Sequence, residues 1–504
     1  MAKKGVLKKI IKYIRSKAGM ATPFVLVMAV IFMIFGTGLI TWSVVASKNA
    51  VIKIKKVQAL QIAEAGVNYY KWHLAHNFDD YKDGNDWCCD ANPSKSLSDC
   101  GGVCGPYEHQ YKDYNDNAVG NYSLKITPPT TGSTIFSVES TGSVAGGAPV
   151  IEKKITSLVG KRSLAEYSFL THSPIWIGDT ESTSGPLHSN GGIRFDGTTN
   201  SEVTSAVDTY DCAGTGHGCT GTKPGIWGTG GPDSFWKFKV PEIDFGLFTV
   251  DLNDIQTAAK GSGSCNGVAA DGGICYEKIP STSGFLVKFV SSGSKVEIYQ
   301  VDSLKSQVWY KSYETPTGCK KEAEEIQSKT LISPIGGFDM PSNGLIFLGG
   351  DTWVEGTING KATLAVANLS GSGNEAKTRI NGNIQYLARD GNHNLGIMSQ
   401  GDILVPRYAP VNLTIDATLL SQNGHVYYRN YVSCASGGSV KNGTIEVYGG
   451  IITKLFWTWS YVSGTTTVDG YKYTNTVYNN NLTFAPPPFF PTSEKIEVLS
   501  WQEE

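Results

Sequence analysis

The sequence predicts a mainly β protein with one long N-terminal α-helix. A small antiparallel sheet backs the helix, and a β-solenoid domain with an insertion follows. Three observations carry this reading. An uncharged run from Met20 to Ala46 leads into apolar residues spaced by three and four. Beyond residue 160, many of the 58 glycines punctuate short β-favouring segments with no helical periodicity between them. All ten cysteines lie beyond the uncharged run. At 504 residues the chain is long enough for two or three domains.

As a helix, the uncharged run would span ~40 Å, more than the ~30 Å hydrocarbon core of a bilayer. A removable secretory peptide has an apolar core of only ~7–15 residues before a small-residue cleavage site, and Ser43-Val44-Val45-Ala46 matches such a site poorly. The reading is therefore a retained membrane helix. Seven basic residues precede it (Lys3, Lys4, Lys8, Lys9, Lys12, Arg15, Lys17), and four follow soon after (Lys48, Lys53, Lys55, Lys56). The larger cluster favours the cytoplasmic side, which places the rest of the chain outside.

The basic leader of residues 1–19, ending in Gly19, and the apolar start Met20-Ala21-Thr22-Pro23-Phe24 resemble the type III signal of type IV pilins and pseudopilins. The continuation "KVQALQIAEAGVNYY" (Lys56–Tyr70) resembles the Ala-Glu-Ala-Gly stretch of PilX-like minor pilins. The likeness covers residues 1–78. It implies cleavage between Gly19 and Met20 by a prepilin peptidase, and storage in the cytoplasmic membrane as a single-pass protein with its N-terminus inside. It also implies assembly with other pilins or pseudopilins through the helix, and final display at the cell surface on a pilus. Pilins usually carry Glu as the fifth residue after the cut, where this chain has Phe24. A subunit without that carboxylate fits a filament tip or initiating position.

Within the helix assigned to residues 20–78, the stripe Val57, Leu60, Ala63, Val67, Tyr70, Leu74 and Phe78 would face a sheet. Glu64 reads either as a helix contact in an assembly or as a solvated carboxylate. Residues 79–160 read as a cysteine-stapled polar loop up to Asn117, then three short strands around 122–126, 135–138 and 150–159. An even cysteine count outside the cytoplasm reads as disulfides. Local pairings are open among Cys88, Cys89, Cys100 and Cys104, and plausible for Cys212 with Cys219 and Cys265 with Cys275.

Residues 161–210 and 341–484 carry Gly-, Asn- and Asp-separated strands of three to six residues, such as "GLIFLGG" and "TRINGNIQYLA". They suit the coils of a β-solenoid, with a β-sandwich as the alternative. Residues 211–340, with Trp227, Trp236 and the polar, helix-like run Lys320–Lys329, read as an insertion. The ending 485–504 reads as a proline and aromatic strap pinned by Phe489, Phe490 and Trp501. The coil segments and this ending resemble an uncharacterised β-rich domain found behind PilX-like helices.

Beyond the leader the balance turns mildly acidic, since all 45 acidic residues lie there, which argues against a nucleic-acid partner. Asp351, Glu355, Asp390, Asp402, Asp416 and Glu446 are scattered singly, without a pairing that would mark a glycosidase. Cys212-x4-His217-x-Cys219 lacks the ligand spacing of structural zinc sites. No catalytic residue, metal site or cofactor is assigned. Trp457, Trp459 and Tyr461 share one side of a strand, which presents either a surface for a glycan or protein ligand or a piece of core. The function expected is a non-enzymatic minor pilin or pseudopilin. The alternative is a membrane-anchored extracellular protein that binds or degrades polysaccharide.

Overall fold

The computed structural model describes residues 3–146, 150–179, 181–245, 247–270, 272–313, 317–371, 373–464 and 466–504, with side chains from Thr22 on except those of 247–251. The chain forms two compact units: residues 1–128 with 137–158 and 500–504, and residues 129–136 with 159–499.

The first unit is organised by α1 (Lys3–His76), which runs without a break through Gly19, Met20 and Pro23. It ends where the chain turns into Asp79-Asp80, and His73 Nε2 meets Asp80 Oδ2 at 3.0 Å across that turn. Its C-terminal half buries Ala59, Ile62, Ala63, Val67, Tyr70 and Leu74. The stripe therefore enters the core through Ala59 and Ile62, whereas Val57 is exposed, Leu60 half-buried, and Phe78 lies beyond the helix. The reason is close approach. A Cβ on Gly66 would lie 2.3 Å from Ser140 Oγ, and one on Gly142 would lie 2.2 Å from the Ala59 carbonyl oxygen. Small residues on both surfaces let backbone meet backbone, and that contact sets which side of the helix faces inward.

The sheet under α1 contains β1 (Cys104–Lys112), β2 (Ala118–Thr127), β3 (Ile135–Val144), β4 (Glu152–Ser163) and the C-terminal strand Thr492–Glu503, in that order. β1 and β2 pair antiparallel with His109 opposite Tyr122, and β2 and β3 with Leu124 opposite Ser140. Five strands thus stand where three were expected. β1 lies inside the stretch read as polar loop, and the last strand lies inside the stretch read as a strap. Trp501, expected to pin that strap, is 46% exposed.

The second unit is built from parallel ladders. One column of inward side chains runs Ile274, Ile346, Leu364, Ile397, Leu419, Ile451, Phe169, Leu187 and Val203, each opposite the next on neighbouring parallel strands. All nine are fully buried. A second ladder stacks Val287, Val354 and Ile380, and continues two residues offset, with Ile403 opposite Thr378, through Val426 and Trp457. A third links strands Thr352–Ile358, Thr378–Tyr386, Leu413–Ser421, Val440–Thr453 and Thr466–Val477. Stacked parallel strands with continuous apolar columns have the character a β-solenoid requires, because one short strand cannot bury its apolar face alone.

The order of the stack differs from the order of the chain. Strand Phe169–Thr171 pairs with the end of Val440–Thr453, so the coils of residues 169–237 follow those of 345–477. The stack begins instead with Ile274–Glu277 and Gly284–Val290. Residues 211–340, expected to be a single insertion, therefore supply ladder strands near both ends (Ile226–Trp227, Trp236–Lys237, Ile274–Glu277, Gly284–Val290). The run Lys320–Lys329, expected to be helical, is strand in Gly318–Glu322 and Ile326–Leu331. Cross-strand pairing of Lys320 with Tyr310 and of Lys329 with Val301 overrides its local helix propensity. The helix in this region is α2 (Leu247–Lys260), whose Leu252, Ile255 and Ala259 cover outward Cys275, Phe347 and Ala365. Phe490 and the partly buried Phe489 join that same cluster.

Candidate functional site

Among the described residues, a long exposed apolar surface runs along α1 from Phe24 to Val57. Phe24, Phe32, Phe35, Leu39 and Trp42 are between 66% and 72% exposed. A monomeric soluble protein rarely leaves so long an apolar stripe in water. The segment Thr22–His76 contains a window long and apolar enough to cross a membrane, and none of that window is buried inside the chain. The same helix thus has two surfaces: one with no cover from its own chain, and one seated on a sheet. Phe24 belongs to the uncovered part. Glu64 is half-buried at the edge of the seated part, between buried Ala63 and Gly66. Gly19 and Met20 lie on the helix, and their side chains fall outside those described.

The ten cysteines are joined as Cys88–Cys104, Cys89–Cys100, Cys212–Cys219, Cys265–Cys275 and Cys319–Cys434. The last pair, 115 residues apart, carries no local spacing signal. With Cys212 and Cys219 bonded to each other, buried His217 stands without the two sulfurs that could have shared a metal with it.

The scattered carboxylates are mostly held by cations. Arg379 Nη1 donates to Asp351 Oδ2 at 2.8 Å, and Arg389 Nη2 bridges Asp416 and Glu446 at 2.7 and 2.6 Å. Glu355 accepts from Asn381 at 2.6 Å, and Asp390 caps its own turn at Asn392. Asp402 lies 3.0 Å from His425 Nδ1. Burial pushes its carboxyl up, but the bond to His425 and the charges of His425 and Lys377 outweigh that and bring it down to about 2.

Sequence reasoning missed a buried cluster of charged residues. Arg429 Nη1 donates to Glu324 at 2.6 Å, its Nη2 to Glu322 at 2.6 Å, and Arg379 also reaches Glu322. Both guanidinium groups are almost wholly buried. Burial alone would raise the Glu322 carboxyl, yet Arg429, Arg379 and Lys377 hold it well below the ordinary range. Tyr431 OH donates to Glu324 at 2.7 Å, and the Trp353 ring lies 4.6 Å from the Arg379 guanidinium. This network fastens the hairpin of Val308–Ser312 and Gly318–Glu322 to the ladder. Removing one member of such a set leaves a buried charge uncompensated.

Of the aromatic row read as either surface or core, the two tryptophans are interior. Trp457 and Trp459 are 9% and 2% exposed and meet edge to face, and Trp457 stacks above Val426 on the inward column. Tyr461 is half-buried and donates to the Tyr428 carbonyl at 3.0 Å. Trp459 falls between the strands Trp457–Thr458 and Ser460–Ser463, and both tryptophans are buried in the core.

No known protein-family profile matches the chain, and no curated protein matches it. Among solved structures, it is similar to the competence-associated pilin ComZ of Thermus thermophilus at 13% identity, with a TM-score of 0.24. That alignment covers 89% of this chain and 97% of that one.

Proposed function

We propose that this chain is a non-enzymatic minor pilin or pseudopilin that displays a β-solenoid domain from a type IV pilus-like filament. The observation that carries the reading is the division of α1 into an uncovered apolar half and a half seated on its own sheet. Such a helix can lie in a membrane before assembly and pack against like helices afterwards, exchanging lipid for protein without exposing its backbone. Other pilins and a prepilin peptidase are the partners this implies, and no cofactor is needed. The leader ending at Gly19 supplies the processing point, with Met20 as the first mature residue. Phe24 supports a tip position. A Glu at that position would neutralise the amine of a neighbouring helix inside an apolar shaft, where an unpaired charge is costly. A subunit that lacks it is best tolerated where no such neighbour stands.

N-terminal sequencing of the membrane form tests processing, and a start at Met20 is expected. Immunogold labelling of sheared filaments tests position. Label confined to ends is expected for the native chain, and Phe24→Glu is expected to extend label along the shaft. A native chain still starting at Met1 in peptidase-positive cells, and absent from filaments, would favour a simple membrane-anchored polysaccharide-binding or polysaccharide-degrading protein.

A further inference from the structure

The second unit contains a polar cleft of about 360 Å³ where three turns of the chain converge. We infer that this cleft binds an uncharged saccharide. Its size lies at the lower end of the ~300–1,000 Å³ typical of small-ligand sites.

The walls are preformed. Ser201 Oγ accepts from Gly185 N at 3.1 Å, Ser184 Oγ accepts from Tyr478 N at 3.1 Å, and Tyr478 OH lies 3.1 Å from Thr483 Oγ1. Gly185, at φ +86°, lets its turn rest on the Tyr478 ring, since a Cβ there would come within 2.4 Å of that ring. A ligand would meet a frame already held by its own hydrogen bonds, which lowers the ordering cost of binding.

Charge then selects the ligand class. Arg162 at one wall is shared by two carboxylates, donating through Nε to Glu497 at 2.6 Å and through Nη1 to Glu166 at 3.0 Å. Lys495 lies 3.2 Å from Glu497 on its other side, so two cations face two acids and the wall carries no excess positive charge for a phosphate, sulfate or carboxylate. The remaining polar groups are neutral. Asn200 uses its oxygen toward Ser201, while its amide nitrogen and the whole Asn480 carboxamide have no partner among the described residues. A carboxamide offers donors and acceptors together, as a sugar hydroxyl does, and the second oxygen of Glu166 adds an acceptor. Pro186 and Tyr478 supply the limited apolar contact that a pyranose C–H face can use.

The inference deepens the reading of a displayed domain and rests on it only for where the cleft is presented. The test is saturation-transfer NMR on the full chain, held in a detergent without a sugar headgroup. The probes are maltotriose, cellotriose, chitobiose and lactose, compared with a glucuronate disaccharide and spermidine. At least one neutral probe is expected to bind. Asn200→Leu and Asn480→Leu are each expected to weaken that binding at least tenfold without shifting the melting temperature. Binding by none of the neutral probes overturns the inference, as does binding only by the charged ones or full affinity in both variants. Because Asn200 and Asn480 are exposed, both variants should fold, and the wild-type panel decides the question even if one does not. A chain that binds sugar yet never enters filaments would separate this site from the filament role.

Discussion

Glu181 shows how one side chain sets a pH response. It accepts a hydrogen bond from Thr474 Oγ1 at 2.6 Å, and burial outweighs that bond, raising its carboxyl to about 7. Between about pH 4.5 and 7 the folded chain then holds a proton that the unfolded chain has lost, so this group's contribution to stability falls as pH rises through that window. Above pH 7 the loss is complete. Glu181→Gln is expected to stabilise the second unit by on the order of 2 kcal/mol at pH 8 and by much less at pH 5. Thermal unfolding of both proteins at the two pH values checks this, and an equal gain at both would mean the carboxyl is already ionised at pH 5.

Between α1 and its sheet, the decisive feature is the absence of side chains. Gly66 and Gly142 each lie where a Cβ would collide with the facing element, and Ala59 and Ala63 complete the contact. The Ala-Glu-Ala-Gly stretch is thus explained by packing within the chain: Ala63 and Gly66 point inward while Glu64 sits at the rim. Overpacking a tight interface typically costs about 1–3 kcal/mol. Gly142→Val, which would press on helix backbone, is expected to reach or exceed the top of that range. Gly66→Leu, which meets the Ser140 hydroxyl and the Tyr122 ring, is expected to fall inside it. Proteolysis of the first unit should follow the same ranking, and a Gly142→Val protein as resistant as wild type would refute the close approach.

Across the whole second unit, chain order and stacking order diverge, and long-range links secure the result. Cys319–Cys434 ties the lateral hairpin to the ladder over 115 residues, while Cys212–Cys219 closes only 7. In the chain-entropy picture a loop of ~100 residues is worth about 4–5 kcal/mol and one of 7 residues about 2. Replacing Cys319 and Cys434 together by Ser is therefore expected to lower the urea midpoint about twice as much as replacing Cys212 and Cys219. Equal shifts would show that the buried Arg429, Glu322 and Glu324 network already holds the hairpin without the covalent link.

The sequence by itself determined the features that depend on local pattern. The uncharged run and its spacing of three and four specify a helix, and glycine-separated β segments specify short strands, because both periodicities are properties of the backbone alone. Tertiary structure decided what depends on partners distant in the chain. β1 and the C-terminal strand became strands by pairing, Lys320–Lys329 left its helix propensity for two strands with different partners, and residues 169–237 took their place after residue 453. The Arg162, Asn200 and Asn480 cleft and the Arg379 and Arg429 network likewise draw on residues tens to hundreds of positions apart. Neither a charge nor a carboxamide announces in sequence which fold will bury it, because the free energy of placing it depends on neighbours that only the folded chain supplies.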